Sequence, residues 1–484
     1  GRAARAGRAA EARESYEAAW VLGRDRDTGV LVDAALGIGD VVVSAGRVDA
    51  GLARHLERTA ALLGPADEVD RIRVAARLAV ELYWGPELPR ARILAAESVA
   101  AARAFDDPRA LTAALAAAQF VLRGPEGPED RIALGRELAD LAVRRGDEDA
   151  ELLARRMLVP ELMQSDPVQA DAELDVLAEL ATSTGRPLAQ WYVLLFRAVR
   201  STMAGHTDAL DLVEQAYRLG RLVQAQPASI YATGQRFALR RDLPAGSVEH
   251  DLRRHVARYP VLTVFRCQLA VVLAENGRGE EACALLDELT AGDCAALPPD
   301  SLWLANAGLL AEAAALLDHG RHAEHLHAVL SPYADRVAMQ GVPIWNGAVA
   351  RYLALTATTL GRWDEADTRF QEALRIHEAW GAAPLSAQTM GEHAAMLRRR
   401  GAPGDRTRAA RLAAGPPTPA STAAPLTARE FEVLDALAAG SSNKEIARRL
   451  HLSVHTVERH VANIYVKIGA RNRSEATAFA IRPA

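Results

Sequence analysis

The sequence contains little cysteine, few aromatic residues and no long apolar run. Its three cysteines, Cys267, Cys283 and Cys294, are an odd number without a C-x-x-C pair. We expect them to be small buried residues in a reducing cytosol. No apolar stretch is long enough to span a bilayer, and no signal-peptide pattern occurs. These absences predict a cytoplasmic protein without a membrane partner.

Lysine is almost absent as well. It occurs only at Lys444 and Lys467, and arginine supplies every other basic side chain. From residue 426 onward there are nine Lys/Arg and six Asp/Glu, whereas the rest of the chain holds 48 basic and 56 acidic residues. A basic tail on an acidic body favours nucleic-acid binding by the tail and not by the body.

Motifs for catalysis are also missing. No G-x-x-x-x-G-K-[ST] phosphate loop occurs, so we expect no ATPase, no other enzyme and no cofactor in this chain. Gly37-Ile38-Gly39 is interpreted as a helix break. In the histidine cluster of residues 319–327, His322 and His325 share a helical face and could bind a metal with a third ligand. Solvated positions on a helix are the favoured interpretation of these histidines.

The last sixty residues carry two signals for helix starts. Thr427 with Glu430, and Ser442 with Glu445, have the spacing of capping boxes, in which each side chain bonds the backbone N–H of the other residue. Gly440 suits the end of the first of these helices, because glycine adopts a left-handed conformation at low cost. The pattern predicts two short helices separated by a tight turn.

A third helix follows, and Ser453 can cap it. One apolar stripe in it must face a core, with partners from the two preceding helices. The stripe consists of Val457, Val461, Ile464 and Ile468. The other faces are polar, which is the layout of a helix-turn-helix whose final long helix enters the DNA major groove.

This segment resembles the LuxR-type, or GerE-type, C-terminal DNA-binding domain. The matching residues are Leu426-Thr427, Arg429-Glu430, Val433-Leu434, Gly440, Ser442-Asn443-Lys444-Glu445-Ile446-Ala447, Leu450, Ser453, Thr456-Val457, His460, Asn463-Ile464, Lys467-Ile468-Gly469, Arg473 and Glu475-Ala476. The resemblance implies a small four-helix domain over residues 426–484, with residues 474–481 as its last helix. It also implies double-stranded DNA as the partner and a homodimer on that DNA.

Thirteen residues are candidate DNA contacts on this basis. They are Thr427, Arg429, Asn443, Lys444, Glu445, Ser453, His455, Thr456, Glu458, Arg459, His460, Asn463 and Lys467. Arg459 could bond guanine in a bidentate manner, and Glu458 could accept from a cytosine amine. Lys444 lies near a helix start, where phosphate is attracted. Many relatives carry a basic residue in place of Glu458, which leaves open which bases are recognised.

Two alternatives for the tail remain. A sigma-factor region is the nearest similar pattern, and it fits the ending Asn463, Lys467-Ile468-Gly469 less well. An ordinary helical hairpin with solvated charges would need only the caps and the stripe, without so many fixed identities.

A recurring pattern extends over residues 1–412. Gly-Arg at a turn is followed by a helix with alanine at a fixed offset and a larger apolar residue one turn later, as in Gly361-Arg362, Ala366 and Phe370. Other copies begin at Gly7, Gly46, Gly277 and Gly320, with a weaker one at Gly205. Alanine permits close helix crossing and the larger residue fills the layer between repeats. The pattern therefore predicts an all-α superhelix with a concave face, with Pro108, Pro167 and Pro343 at helix boundaries.

The array resembles tetratricopeptide repeats, best over residues 353–384, with steps of about 40 residues against the usual spacing of about 34. Residues 265–411 also resemble the helical-repeat region of large bacterial regulators, in which an ATP-binding domain precedes the repeats and a LuxR-type domain follows. This resemblance implies that ATP could bind an N-terminal domain missing here. It also implies that a protein or small-molecule effector binds the array.

Residues 413–425 are rich in Pro, Ala, Ser and Thr and predict a semi-extended linker. Before it, Arg398-Arg399-Arg400, followed by Arg406, Arg408 and Arg411, could contact DNA phosphates or end a solvated helix. The leading hypothesis is a transcriptional regulator that binds DNA through its tail and senses or docks an effector on its array. The alternative hypothesis is a helical-repeat scaffold for protein partners with little DNA binding.

Overall fold

The computed structural model describes residues 9–23, 28–41, 46, 48–244, 246–341, 344–414, 428–438, 441–450, 456–457, 460–461 and 464. The chain divides into two compact units, Gly1–Asp405 and Arg406–Ala484. The division into residues 1–412, 413–425 and 426–484 stays a prediction, since nearly all of the expected linker lies outside the described residues. No helix in the described ranges is both long and apolar enough to cross a bilayer.

Helices make up about 80% of the structure, with one small two-stranded sheet in the described residues, so the predicted all-α class is confirmed. The first unit contains α1 (Ala9–Gly23), α2 (Thr28–Val41), α3 (Ala50–Leu62), α4 (Glu68–Leu82), α5 (Leu88–Phe105), α6 (Pro108–Val121), α7 (Glu129–Arg145), α8 (Glu148–Leu162), α9 (Pro167–Thr184), α10 (Pro187–Ala204), α11 (Ala209–Val223), α12 (Ala225–Ala238), α13 (Ser247–Arg258), α14 (Val264–Glu275), α15 (Gly279–Cys294), α16 (Trp303–Leu316), α17 (Gly320–Leu330), β1 (Val337–Gln340), β2 (Ile344–Ala348), α18 (Val349–Thr359), α19 (Trp363–Ala379) and α20 (Ala383–Arg400). Helix α21 (Asp405–Ala413) begins at the boundary, and the second unit contains α22 (Ala428–Ala438) and α23 (Asn443–Arg449).

The local signals for helix ends in the array correspond to its helices. Asp107 accepts from the backbone N–H of Arg109 and Ala110 and precedes Pro108 at the first position of α6. The same arrangement starts α9, where Asp166 precedes Pro167. Proline fits there because the first turn leaves its N–H position unbonded anyway. The expected boundaries at these two prolines are confirmed, and Pro343 lies outside the described residues.

The Gly-Arg repeat has the expected packing in its best copy. Gly361 has a φ of 72°, a left-handed turn conformation. Glycine adopts it without a side-chain penalty, so the chain reverses there between α18 and α19. Ala366 and Phe370 then lie fully buried on α19. The spacing therefore identifies real helix pairs with a small residue at the crossing and a large one in the layer.

A β-hairpin interrupts the helical array, and nothing in the sequence pattern predicts it. Strands β1 and β2 pair antiparallel, with Met339 opposite Trp345. The indole N–H of Trp345 donates to the carbonyl of Met163 at 3.1 Å, and its ring lies 5.8 Å from that of Trp380. The hairpin therefore joins the middle helices of the array to its C-terminal helices.

His377 fixes the end of the hairpin. Its Nε2 accepts from the backbone N–H of Ala348 at 3.0 Å, and its Nδ1 lies 3.2 Å from the hydroxyl of Thr389. Burial, together with the charge of Arg351, lowers the pKa of His377 to about 3, so the ring is neutral and Nε2 can accept.

Contacts between distant parts of the chain bring its early helices against the residues before α16. The hydroxyl of Tyr83 accepts from the backbone N–H of Ser301 at 2.8 Å. The guanidinium of Arg92 donates to the carbonyl of Pro299 at 2.6 Å. Each contact joins residues more than 200 positions apart, so the array is held by more than its neighbour-to-neighbour packing.

The interpretation of Gly37-Ile38-Gly39 as a helix break is wrong. Gly37 and Gly39 do not break a helix, because both lie inside α2. A Cβ at Gly37 would collide with the ring of Tyr16, and one at Gly39 with the side chain of Arg77. The glycines therefore allow close approach of neighbouring side chains.

The histidine cluster is less solvated than the sequence suggested. His322 is 4% exposed and His327 is 5% exposed. The ring of His327 lies 2.9 Å from the hydroxyl of Thr356 and 3.0 Å from the carboxylate of Glu365. Among the described residues, no three His, Cys, Asp or Glu side chains are grouped in a way that could hold a metal ion. The polar rings are bonded parts of the core between helices.

The arginine run at the end of α20 forms ion pairs within the first unit. Arg399 pairs with Asp318 at 2.9 Å. Arg400 pairs with Asp405 at 2.7 Å and contacts Asp364 at 3.3 Å. Two of the three arginines in this run, Arg399 and Arg400, thus form ion pairs with carboxylates of the protein.

A buried ionic network connects α16, α18 and α20. Arg351 is 1% exposed and donates to Glu312 at 3.0 Å and to Glu392 at 2.9 Å. Arg240 lies 3.5 Å from Glu312 and bonds Glu275 at 2.8 Å. Burial raises the pKa of Glu312, but the nearby guanidinium charges outweigh burial, and the resulting pKa is about 2.

We expect Glu312→Gln to lower the free energy of unfolding by about 3 kcal/mol near pH 7, because Arg351 would keep its charge in a buried site with one carboxylate fewer. The folded-state pKa of Glu312 lies below its ordinary value of 4.5. Its contribution is therefore present above pH 4.5 and is lost as the pH falls towards 2. Urea titrations at two pH values measure this, since all seven tryptophans lie in the first unit.

Arg90→Gln is the matched control. Arg90 pairs with Glu57 and Glu87 on the surface, so its loss should cost at most about 1 kcal/mol. Equal losses in the two variants would contradict a special role of the buried network.

Candidate nucleic-acid interface

The second unit contains the capping box that the sequence predicts at α23. Ser442 has an extended backbone, and its hydroxyl accepts from the backbone N–H of Glu445. The carboxylate of Glu445 accepts in return from the backbone N–H of Ser442 at 2.7 Å. Hydrogen bonds from Ser442 also lower the pKa of Glu445. The helix therefore has a defined start, and this carboxylate is occupied by capping. The other expected box includes Thr427, which lies outside the described residues.

A small apolar core holds this unit together. Its fully or nearly buried members come from α22, from α23 and from the helical residues 457 and 464. They are Val433, Leu434, Ala436, Leu437, Ile446, Ala447, Val457 and Ile464, with Leu450 and Val461 partly buried against them. The stripe at Val457, Val461 and Ile464 thus faces the core as its spacing predicts, and Ile468 lies outside the described residues.

Arg429 connects α22 with the end of α23. Its guanidinium donates to the carboxylate of Glu432 on α22 and to the backbone carbonyl of Leu450 at the end of α23. The carbonyls of a final helical turn have no partner within the helix, so the second bond stabilises the end of α23. Arg429 therefore has a structural role, which the sequence did not predict, in addition to its predicted contact with DNA.

Six of the thirteen candidate DNA contacts lie in the described residues. They are Arg429, Asn443, Lys444, Glu445, Thr456 and His460. Lys444 and Glu445 are exposed, whereas Asn443, Thr456 and His460 are half-buried. The other seven lie outside the described residues, and their roles stay predictions. They are Thr427, Ser453, His455, Glu458, Arg459, Asn463 and Lys467.

The sequence interpretation omitted two exposed cations of α23. Arg448 and Arg449 lie in its last turn, and both are exposed. Arg448 follows Lys444 by four positions, so the two side chains share one face of the helix. The same spacing rule, applied to α23 as it was to the third helix, would have identified this pair.

Comparison with known proteins assigns this arrangement to a family. Residues 424–480 match the family described as bacterial regulatory proteins, luxR family. The transcriptional regulatory protein LnrK of Bacillus subtilis (strain 168) is 46% identical over 57 residues, which are 12% of this chain and 26% of that protein. The CsgBAC operon transcriptional regulatory protein of Escherichia coli (strain K12) is 47% identical over 55 residues, 11% of this chain and 26% of that protein.

The oxygen regulatory protein NreC of Staphylococcus aureus (strain JH9) is 42% identical over 57 residues, again 12% of this chain and 26% of the relative. The chain thus spans about a quarter of the length of these curated relatives, 26% in each case. The capping box, the three-segment core and the family match all concern the same short segment. Residues 424–480 of this chain are therefore a helix-turn-helix DNA-binding domain of the luxR family of bacterial regulatory proteins.

Proposed function

We propose that this chain is a transcriptional regulator that binds specific DNA sequences through its C-terminal domain and receives a signal on its helical array. The observation that carries the proposal is the luxR-family match over residues 424–480, in which α22, α23, Val457, Val461 and Ile464 pack on one core. The relatives named above are themselves described as regulatory proteins.

In the proposed complex, the third helix of the domain enters the major groove. Arg459 reads guanine, and Glu458 accepts from cytosine where the site presents it. Other polar side chains of the domain contact the phosphate backbone of the DNA. These contacts fix the position of the domain and do not recognise bases. The side chains are those of Thr427, Asn443, Lys444, Ser453, His455, Thr456, His460, Asn463 and Lys467.

The domain acts as a homodimer on two half-sites. A luxR-type domain offers one recognition helix, and two half-sites about 34 Å apart place two such helices on the same side of the duplex. The segment 474–481 is the proposed dimer contact. Sedimentation of the full chain with and without its selected DNA tests this stoichiometry.

The array receives an effector, either a protein or a small molecule. The array has a negative net charge, and Arg399 and Arg400 near its C-terminal end form ion pairs with carboxylates. The array is therefore poorly suited to binding DNA. It is also far larger than a support for a DNA-binding domain needs to be, which favours a separate binding role.

Selection of DNA from a random pool by the full chain tests the core of the proposal. Enrichment of one sequence motif, and binding of that motif at least a hundredfold more tightly than of random DNA, is the expected outcome. An unenriched pool would favour the helical-repeat scaffold, and the array should then retain protein partners in the same preparation.

We expect Lys467→Ala to weaken binding to every DNA sequence by the same factor, because a phosphate contact carries no sequence information. The slope of log K against log salt should fall by about 0.9 for one lost contact. Fluorescence anisotropy over a series of salt concentrations measures it. The control is Arg221→Ala, which removes an exposed arginine of the array and should leave the slope unchanged. An unchanged slope for Lys467→Ala would remove Lys467 from the interface.

Arg459→Ala should behave differently. Loss of a bidentate contact to guanine lowers discrimination at one position by about 1–3 kcal/mol and leaves the other positions unchanged. Repeating the DNA selection with the variant measures this position by position. A uniform loss across all positions would make Arg459 a phosphate contact instead.

Arg429→Gln separates a structural role from a DNA contact. We expect faster amide hydrogen exchange across α22 and α23, with an opening free energy lower by about 1 kcal/mol, because the carbonyl of Leu450 loses a charged donor. Arg449→Gln, a change of an exposed arginine in the same unit, should leave the exchange rates nearly unaltered. A salt slope lower by about 0.9 in Arg429→Gln with normal exchange would instead place Arg429 on a phosphate.

A further inference from the structure

Alternate helices of the N-terminal half form one inner face of the array. Helices α4, α6 and α8 pack side by side, although each is separated from the next by one helix of the chain. Together they line a cavity of about 540 Å³, whose lining also includes Tyr192 and Tyr231. A volume between about 300 and 1,000 Å³ is typical of small-molecule sites.

The lining of this cavity is strongly cationic. Its arginines are Arg73, Arg77, Arg109, Arg123, Arg145 and Arg156, against two carboxylates, Glu81 and Asp147. Both carboxylates are already bonded. Glu81 accepts from Arg77 at 3.0 Å, and Asp147 caps α8 by accepting from the backbone N–H of Ala150. Two more of the arginines pair with carboxylates outside the lining, Arg73 with Asp70 at 2.7 Å and Arg109 with Asp107 at 3.6 Å. The positive charge that remains lies at Arg123, Arg145 and Arg156.

Arg123 is the most buried of these arginines. It is 8% exposed, and it shares the single carboxylate of Glu161 with Arg131, at 2.8 Å and 2.9 Å. Among the described residues, its Nη2 has no hydrogen-bond partner. This buried cluster has two guanidinium groups and one carboxylate, and Arg123 lines the cavity, so an anion bound there would supply a further acceptor and balance the remaining charge.

Two further arginines of the lining have unbalanced charge. In the described part of the chain, neither Arg145 nor Arg156 has a carboxylate within ion-pair distance. The guanidinium of Arg156 lies 4.7 Å from the centre of the Tyr192 ring. A guanidinium held over a ring keeps its N–H groups available for an anion at its edge.

The rest of the lining is apolar. It includes Leu36, Val80, Ala116, Phe120, Leu153 and Met157. A ligand made only of charged groups would leave this surface unused, whereas a ligand with an apolar body would bury it.

We propose that this cavity binds a small organic anion, with its carboxylate, phosphate or sulfonate group at Arg123 and Arg156 and an aromatic or aliphatic body against Phe120 and Tyr192. The inference rests on the proposed function in one respect, that the array is the part of the chain that receives a signal. It specifies the chemistry of that signal.

Anilinonaphthalene sulfonate is a suitable probe, because it combines one sulfonate with an aromatic body and becomes fluorescent in apolar sites. Its neutral analogue, N-phenylnaphthylamine, is the matched ligand control. We expect the folded full chain to bind one equivalent of the sulfonate, and to bind the neutral analogue at least tenfold more weakly. Arg156→Gln should raise the Kd of the sulfonate by roughly tenfold, as for one lost charge-assisted hydrogen bond.

Two neighbouring arginines provide a matched pair of variants. Arg145 lines the cavity, whereas Arg144, beside it and also exposed, does not. Arg145→Gln should weaken binding of the sulfonate, and Arg144→Gln should leave its Kd unchanged. Within the described ranges neither Arg145 nor Arg156 has an ion pair to lose. Arg156→Gln also removes the contact with the Tyr192 ring, whereas Arg145→Gln does not, so Arg145→Gln tests binding with less effect on packing. Equal affinity of the parent, Arg156→Gln and Arg145→Gln, or equal binding of the neutral analogue, overturns the proposal.

The same preparations are titrated with the selected DNA. If the parent chain does not bind the sulfonate but binds the DNA normally, the cavity proposal alone is rejected. Normal sulfonate binding without DNA binding rejects the proposed function and leaves the cavity as the site of an organic anion.

Discussion

The hairpin of β1 and β2 is the constraint on which the shape of the array depends. Helical repeats that contact only their neighbours can curve and flex along their length. Here the indole N–H of Trp345 donates to the carbonyl of Met163, directly after α8, and its ring packs on Trp380. The backbone N–H of Ala348 donates to the neutral ring of His377. These contacts hold the middle of the array to its C-terminal helices and leave less freedom for the repeats to move independently.

The hairpin and the cationic cavity lie in different sections of the array. It occupies the region between the middle and the C-terminal helices, where Ile344 lies against Gly234 and Gln268 donates to Gln340 at 2.7 Å. The inner face of α4, α6 and α8 instead borders the cationic cavity. A second cavity, of about 400 Å³, lies beside the hairpin and is lined by Trp345, Arg240 and Arg351 among other residues.

Charge is divided between the two units in a way that suits two different partners. The second unit carries the luxR-family domain and both lysines of the chain. The first unit is acidic overall, yet it gathers six arginines around one cavity. Net charge therefore describes the surface that a large polyanion meets, whereas the cavity presents a local charge that only a small anion can reach.

Local sequence signals determine the helix ends and one core face of this protein. Asp-Pro pairs, left-handed glycines and the Ser442–Glu445 box set helix ends, and the stripe at Val457, Val461 and Ile464 set a core face, because each depends on residues within one or two turns. The family of the tail follows from fixed identities at fixed spacings. Only the tertiary structure decided the hairpin, the close approach at Gly37, the burial of His322 and His327, the ion pairs of Arg399 and Arg400, and the cavity. Apart from the pairing within the hairpin and the Arg400–Asp405 pair, these features join residues tens to hundreds of positions apart, and no local periodicity encodes which distant surfaces will meet.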